Sequence, residues 1–252
     1  LKIRTVLVSQ PRPVTEKSPY FDLAKKLNLK IDFRSFIHVE EISAKDFRKT
    51  KINIRDHTAV IFTSRTAIDN YFRICEELRM PIQDNMKYFC ISESTAYYLQ
   101  KYITYRKRKV FYGERKFDDL LELLKKYKTE DFLVPLSDKH KPEIPAKLEQ
   151  QKFKFTKAVL YKTVMSDLSD LENVYYDILV FFSPSGVQSL YKNFPGFVQN
   201  STMIAAFGPS TSKAVKDVGL RLDIQAPTPQ SPSMTMALDS FIRKFNKQNG
   251  NK

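Results

Sequence analysis

The sequence predicts an α/β fold: two similar doubly wound parallel-sheet lobes joined by a two-stranded antiparallel β connector. One observation is a buried strand running into a hydroxyl-rich turn and a helix, at Val60-Ile61-Phe62-Thr63-Ser64-Arg65-Thr66-Ala67-Ile68 and again at Val180-Phe181-Phe182-Ser183-Pro184-Ser185-Gly186-Val187. The next stretch recurs too, Tyr88-Phe89-Cys90-Ile91-Ser92-Glu93-Ser94-Thr95-Ala96 matching Ile204-Ala205-Ala206-Phe207-Gly208-Pro209-Ser210-Thr211-Ser212. Copies this far apart are duplicated domains, because each holds enough strands and helices to bury its own core. A chain of 252 residues with 42% hydrophobic content supports two such cores, each near the usual domain size of about 100–150 residues. Two lobes with a cleft between them is the expectation.

The elements follow in order. Residues 3–9 read as a buried strand closed by the turn Ser9-Gln10-Pro11-Arg12-Pro13, and residues 20–29 carry apolar side chains at helical spacing with Asn28 as a stop. Residues 34–42 alternate like a half-exposed strand, and Ser43 caps a short helix through Phe47. Strands at 59–62, 88–91, 110–112 and 132–136 then alternate with helices at 67–79, 94–101, 117–127 and 144–151. A second exposed, alternating strand spans 155–163. The remaining strands are 178–182, 203–207 and 222–225, with helices at 187–193, 211–218 and 233–245 and a fraying polar tail at 246–252. Strands alternating with helices at this spacing give parallel sheets covered on both faces.

The opening strand, helix and strand lack partners in the first repeat, and the second repeat lacks an opening strand. The economical arrangement is a discontinuous lobe of residues 1–35 plus 167–252, connector strands 36–44 and 157–166, and an inserted lobe 45–156.

Composition narrows the chemistry. No stretch approaches the 18 or more apolar residues of a membrane span and the first eight residues do not make a signal sequence, so no membrane partner and a cytoplasmic location are expected. Two cysteines, Cys75 and Cys90, fit reduced core thiols, and His38, His57 and His140 are too scattered for a metal set. The net charge of +14 calls for an anionic partner, since the summed field concentrates negative ligands. The densest run, Arg106-Lys107-Arg108-Lys109, reads as a solvated loop or a phosphate clamp. No aromatic RNA-binding signature, zinc finger or recognition helix accompanies it, so nucleic acid is not the expected partner.

Ligands of doubly wound sheets bind beyond the carboxyl ends of the strands, where helix N-termini offer unpaired N–H groups. Those turns here hold Thr63, Ser64, Ser94, Thr95, Ser183, Ser185, Ser210 and Thr211. Each is singly a good helix cap, but together they offer many donors to carboxylates or phosphates. Gly208 permits close backbone approach, and Pro209 sets the start of the helix. No nucleophile elbow, Walker loop or dinucleotide fingerprint is present, which favours binding or a reaction needing positioning and one proton donor.

This layout resembles the uroporphyrinogen-III synthase family, through Phe62-Thr63-Ser64, Glu93-Ser94-Thr95-Ala96, Val159-Leu160-Tyr161-Lys162-Thr163, Phe182-Ser183-Pro184-Ser185-Gly186-Val187, Phe207-Gly208-Pro209-Ser210-Thr211 and Ala226-Pro227. The resemblance implies a cofactor-independent lyase that closes linear hydroxymethylbilane, a small-molecule polycarboxylate, into uroporphyrinogen III with loss of water and inversion of the last pyrrole ring. It implies Tyr161 as the catalytic residue assisting departure of the hydroxyl. Substrate contacts would come from Ser9, Arg12, Thr63, Ser64, Ser94, Thr95, Ser183, Ser185, Gly208, Ser210 and Thr211, with no metal and a monomeric chain. The sequence departs from the family pattern at Ser9-Gln10-Pro11, at Ser92 and at Pro135-Leu136-Ser137-Asp138-Lys139. Those departures define the alternative, a catalytically altered family member acting as an anionic-ligand-binding or regulatory protein.

Overall fold

The structure, a computed structural model, describes residues 2–114, 116–140 and 142–249. The chain opens with β1 (Thr5–Val8), α1 (Pro19–Leu27), β2 (Lys30–Phe33), β3 (Ile37–Glu41) and α2 (Ala44–Lys49). Then come β4 (Ala59–Phe62), α3 (Arg65–Glu77), β5 (Lys87–Cys90), α4 (Glu93–Tyr98) and β6 (Val110–Tyr112). The middle continues with α5 (Phe117–Leu124), β7 (Phe132–Ser137), α6 (Glu143–Gln150) and the long β8 (Phe155–Met165). The last part holds β9 (Ile178–Phe181), α7 (Pro184–Asn193), β10 (Met203–Phe207), α8 (Pro209–Asp217), β11 (Ile224–Ala226) and α9 (Met234–Asn249).

Two compact units result, Leu1–His38 with Val164–Lys252 and Val39–Thr163. The first holds a five-stranded sheet ordered β11-β10-β9-β1-β2, and all four of its strand pairs are parallel. Its discontinuity is closed by a half-buried polar tie: the Asp177 carboxylate, just before β9, accepts the N–H groups of Arg4 and Thr5, both at 2.8 Å. Successive β1 side chains point to opposite faces. Val6 and Val8 pack with Leu23, Leu238 and Ile242 of α1 and α9, while Leu7 packs with Val187, Leu190 and Val215 of α7 and α8.

The second unit carries a six-stranded sheet ordered β3-β8-β7-β4-β5-β6. Strands β4 to β8 pair in parallel. At its edge, Ser166 N–H donates to Phe36 O and Ile42 N–H to Leu160 O, a crossing order that makes β3 and β8 antiparallel. Val60, Phe62, Tyr88 and Cys90 face α3, whereas Ile61, Phe89, Phe132 and Val134 face α5 and α6. Helices therefore cover both faces of each sheet.

Several boundaries shift for local reasons. Helix α7 starts at Pro184 rather than Val187 because proline at the first helical position costs no hydrogen bond, and α8 starts at Pro209 for the same reason. The expected helices at 94–101 and 117–127 finish in tighter 3₁₀ turns, Leu99–Lys101 and Lys125–Tyr127. Two further 3₁₀ turns, Ile54–Asp56 and Ser169–Leu171, leave no apolar period to read. The last strand lies at Ile224–Ala226 rather than 222–225. The expected frayed tail is helical to Asn249; residues 250–252 lie outside the described residues.

Both cysteines are core groups: Cys75 and Cys90 are buried free thiols, and burial pushes them up to about 11 and about 12 respectively. The thiolate is the reactive form. Neither cysteine is expected to react with an aromatic disulfide reagent at pH 8 until the protein is denatured, when both should react; rapid labelling of either in the folded chain would contradict this packing.

Candidate functional site

Parallel pairing brings the carboxyl ends of β4, β5, β7 and β8 to one edge of the second sheet. There β4 runs into Thr63, which is half-buried, and Ser64, whose Oγ accepts the Ala67 N–H at 3.1 Å and so caps α3. The same Oγ lies 3.4 Å from the Tyr161 phenol oxygen, across 97 residues of sequence. At that length the contact is weak, leaving the phenol proton free to turn towards an incoming group.

Tyr161 owes its position to an irregularity in β8. The register pairs Leu136 with Val159 but Ser137 with Tyr161, so Leu160 is an extra residue, a bulge. A regular pleat sends neighbouring side chains to opposite faces, yet Leu160 and Tyr161 both join the α3-side core, at 0% and 8% exposure. A bulge re-aims a side chain in this way. Burial raises the Tyr161 phenol above the ordinary tyrosine value, and the Ser64 contact opposes that only in part. The group is a neutral donor at physiological pH.

The other turns of this edge are more self-contained. Ser92 caps α4 through the Thr95 N–H at 3.4 Å, and its Oγ also meets the hydroxyls of Thr95 at 3.0 Å and Ser94 at 3.2 Å. Thr95 is buried and Ser94 exposed. Beyond β7, Asp138 sits against β8. Burial alone would raise its carboxyl, but hydrogen bonds from the Thr163 N–H, Ser137 Oγ and its neighbour's N–H hold it below the ordinary carboxylate range. The Arg106–Lys109 run precedes β6, at the opposite end of the sheet from these turns.

In the first unit, Ser183 caps α7 by accepting the Gly186 N–H at 3.1 Å. A Cβ on Gly186 would lie 3.4 Å from Ser183 Oγ and 3.8 Å from Ser9 Oγ, so both hydroxyls flank this glycine. Ser9 is buried, its N–H bonded to Val180 O at 3.0 Å, while Ser185 is half-buried. Arg12 lies 5.2 Å from the centre of the Phe21 ring. Helix α8 differs from its counterparts. Its cap is Gly208, at φ 88°, which has no side chain to accept a first-turn N–H. Neither the Ser210 nor the Thr211 amide is held by a cap side chain. Ser210 is exposed, Thr211 is 1% exposed, and the buried Ser212 Oγ has no hydrogen-bond partner.

The sequence matches the family model described as uroporphyrinogen-III synthase HemD over residues 20–236. The chain belongs to the uroporphyrinogen-III synthase family. Solved synthases share its fold: the uroporphyrinogen-III synthetase of Helicobacter pylori 26695 aligns with TM-score 0.64 at 17% identity, covering 96% of this chain and 100% of that one. A mutant uroporphyrinogen III synthase from the extremely thermophilic bacterium Thermus thermophilus aligns with TM-score 0.57 at 15% identity, covering 99% and 100%. No curated protein matches the chain in sequence. Family members are cofactor-independent cyclising lyases.

For a uroporphyrinogen-III synthase, the hydroxyl turns thus sort into two kinds. Ser64, Ser92 and Ser183 each hold the third amide of the helix they cap, whereas the corresponding amide at the Gly208 turn, that of Thr211, has no cap side chain to hold it. Among the described residues no group of three or more histidine, cysteine or acidic side chains could hold a metal ion. Sequence reasoning missed the Leu160 bulge, whose trace is the unbroken run Ala158-Val159-Leu160-Tyr161 inside an otherwise alternating strand. With tyrosines labelled at 13Cζ, the signal absent from Tyr161→Phe should titrate above the ordinary value of about 10; a midpoint at or below that value would contradict the burial described.

Proposed function

We propose that this chain converts linear hydroxymethylbilane to uroporphyrinogen III in tetrapyrrole biosynthesis. The single observation that carries the reading for this chain's own residues is the buried, neutral Tyr161 phenol held loosely beside Ser64 at the carboxyl edge of a parallel sheet.

In the reaction the terminal hydroxyl departs as water, expelled by the pyrrole nitrogen lone pair. Tyr161 supplies the hydrogen bond or proton that turns hydroxide into a better leaving group. The resulting azafulvene is attacked by the substituted carbon of the last pyrrole, and the spiro intermediate reopens and closes with that ring inverted. The protein must hold the chain so that this carbon, rather than the free one, meets the electrophile. The bare amides of Ser210 and Thr211 suit acetate or propionate groups, and Ser9, Ser183 and Ser185 line the neighbouring turn. Thr63 and Ser64, with Ser94 and Thr95, serve the second unit. Arg12 adds positive charge beside the first turn, and the +14 net charge draws the octacarboxylate in.

No helix among the described residues is long and apolar enough to cross a membrane. A cytoplasmic monomer without a nucleic-acid partner completes the reading.

The test supplies hydroxymethylbilane from its own synthase and separates the product isomers. The III isomer is expected; formation of the symmetric I isomer alone would contradict the proposal and favour a non-catalytic anion-binding protein. Tyr161→Phe should lower kcat by about 10²-fold with unchanged thermal unfolding, and an unchanged rate would return this residue to packing.

A further inference from the structure

Arg73 has no place in the reaction above, yet it is the most heavily engaged cation among the described residues of the second unit. It lies on α3, nine positions beyond Ser64, or about 13 Å along a helix. Its side chain is only 18% exposed. One terminal nitrogen, Nη2, donates to Ile42 O at 2.9 Å, to Asn70 Oδ1 at 3.2 Å and to Leu160 O at 3.4 Å. The other, Nη1, pairs with Glu77 at 2.6 Å, and Nε lies 3.3 Å from Glu41. That last contact is out of line for a hydrogen bond, leaving Nε a buried donor with only an electrostatic partner.

The target is what matters. Leu160 is the bulged residue of β8, and its carbonyl also accepts the Ile42 N–H that pairs β3 with β8. Arg73 therefore clasps the bulge from the helix side, one residue before Tyr161, chiefly by its 2.9 Å bond to Ile42 O, whose residue's N–H holds the Leu160 carbonyl at 3.0 Å, and more weakly by its direct 3.4 Å contact. The cap of the same helix, Ser64, stands beside Tyr161 at its other end. Without the clasp, β8 could relax to a regular register, and a one-residue slip moves side chains to the opposite face.

We propose that Arg73 is a positioning residue for Tyr161, fixing the Leu160 bulge so that the phenol stands beside Ser64 at the reaction site. The inference rests on the proposed role of Tyr161. Its effect on rate passes wholly through that side chain.

The experiment combines kinetics with the Tyr161 13Cζ signal. Arg73→Gln should lower kcat about tenfold with KM changed by less than about twofold, the pattern of lost transition-state positioning. Arg73→Lys, which retains a cation and carbonyl donors, should recover most of that rate. In a Tyr161→Phe background Arg73→Gln should cost less than about twofold, because the group it positions is gone. The Tyr161 signal should shift in Arg73→Gln and stay near its original position in Arg73→Lys. Losses that multiply in the double variant, or a wild-type rate in Arg73→Gln, would overturn the proposal. If the unaltered chain makes no III isomer, the functional reading fails, and the signal alone decides: an unshifted Tyr161 resonance in Arg73→Gln overturns the positioning role.

Discussion

A parallel strand pair cannot be closed by a two-residue hairpin, so each strand hands over to a crossover before its parallel neighbour begins. In both sheets of this chain that requirement sends the strand-to-helix turns to the carboxyl edge, and with them the helix N-termini and their unpaired amides. The apolar runs of β1, β4, β9 and β10 enforce the arrangement, since side chains on both faces are buried under helices. The candidate site residues lie at those two edges, where burial has been completed and donors remain.

What each turn does with its donors depends on one residue. A serine at the cap accepts an N–H from its own helix, which stabilises the fold by about 1 kcal/mol and withdraws that donor from any ligand. Ser64, Ser92 and Ser183 do this. Gly208 cannot, and its φ of 88° lies where a side chain would be strained. The duplicated pattern has therefore diverged in one donor: the amide that a serine holds in the other turns has no cap side chain at Thr211. Ser64 is one of those serines but has a second contact, because the bulge at Leu160 delivers Tyr161 to it.

The parts of this arrangement that depend on local order were legible in the sequence. Apolar runs located β4 and β10, the hydroxyls after β4 and the Gly208-Pro209 pair after β10 located the turns, and the repeat located the sheets. Tyr161 was reached only through the family resemblance, since its own neighbours say nothing of its role. The contacts that decide its geometry join residues far apart in the chain: Ser64 with Tyr161, Arg73 with Leu160, Ile42 with Leu160. Nor does alternation show that β8 pairs with β7 on one side and β3 on the other; the pattern of an edge strand and that of its half-covered neighbour look alike. The boundaries of α7 and α8 were missed for a simpler reason, the apolar period beginning later than the proline that starts each helix.

Bare amides as the grip on carboxylate can be tested without turnover. Backbone amide shifts would be followed by NMR as uroporphyrin III, a stable octacarboxylate, is added to the full chain. The amides of Ser210 and Thr211 should move furthest, with smaller changes at Gly186 and Ala67, whose N–H groups the serine caps already hold. Perturbations centred instead on Arg106–Lys109, with the α8 turn unmoved, would contradict it: the ligand would then be answering to net charge rather than to the sheet edge.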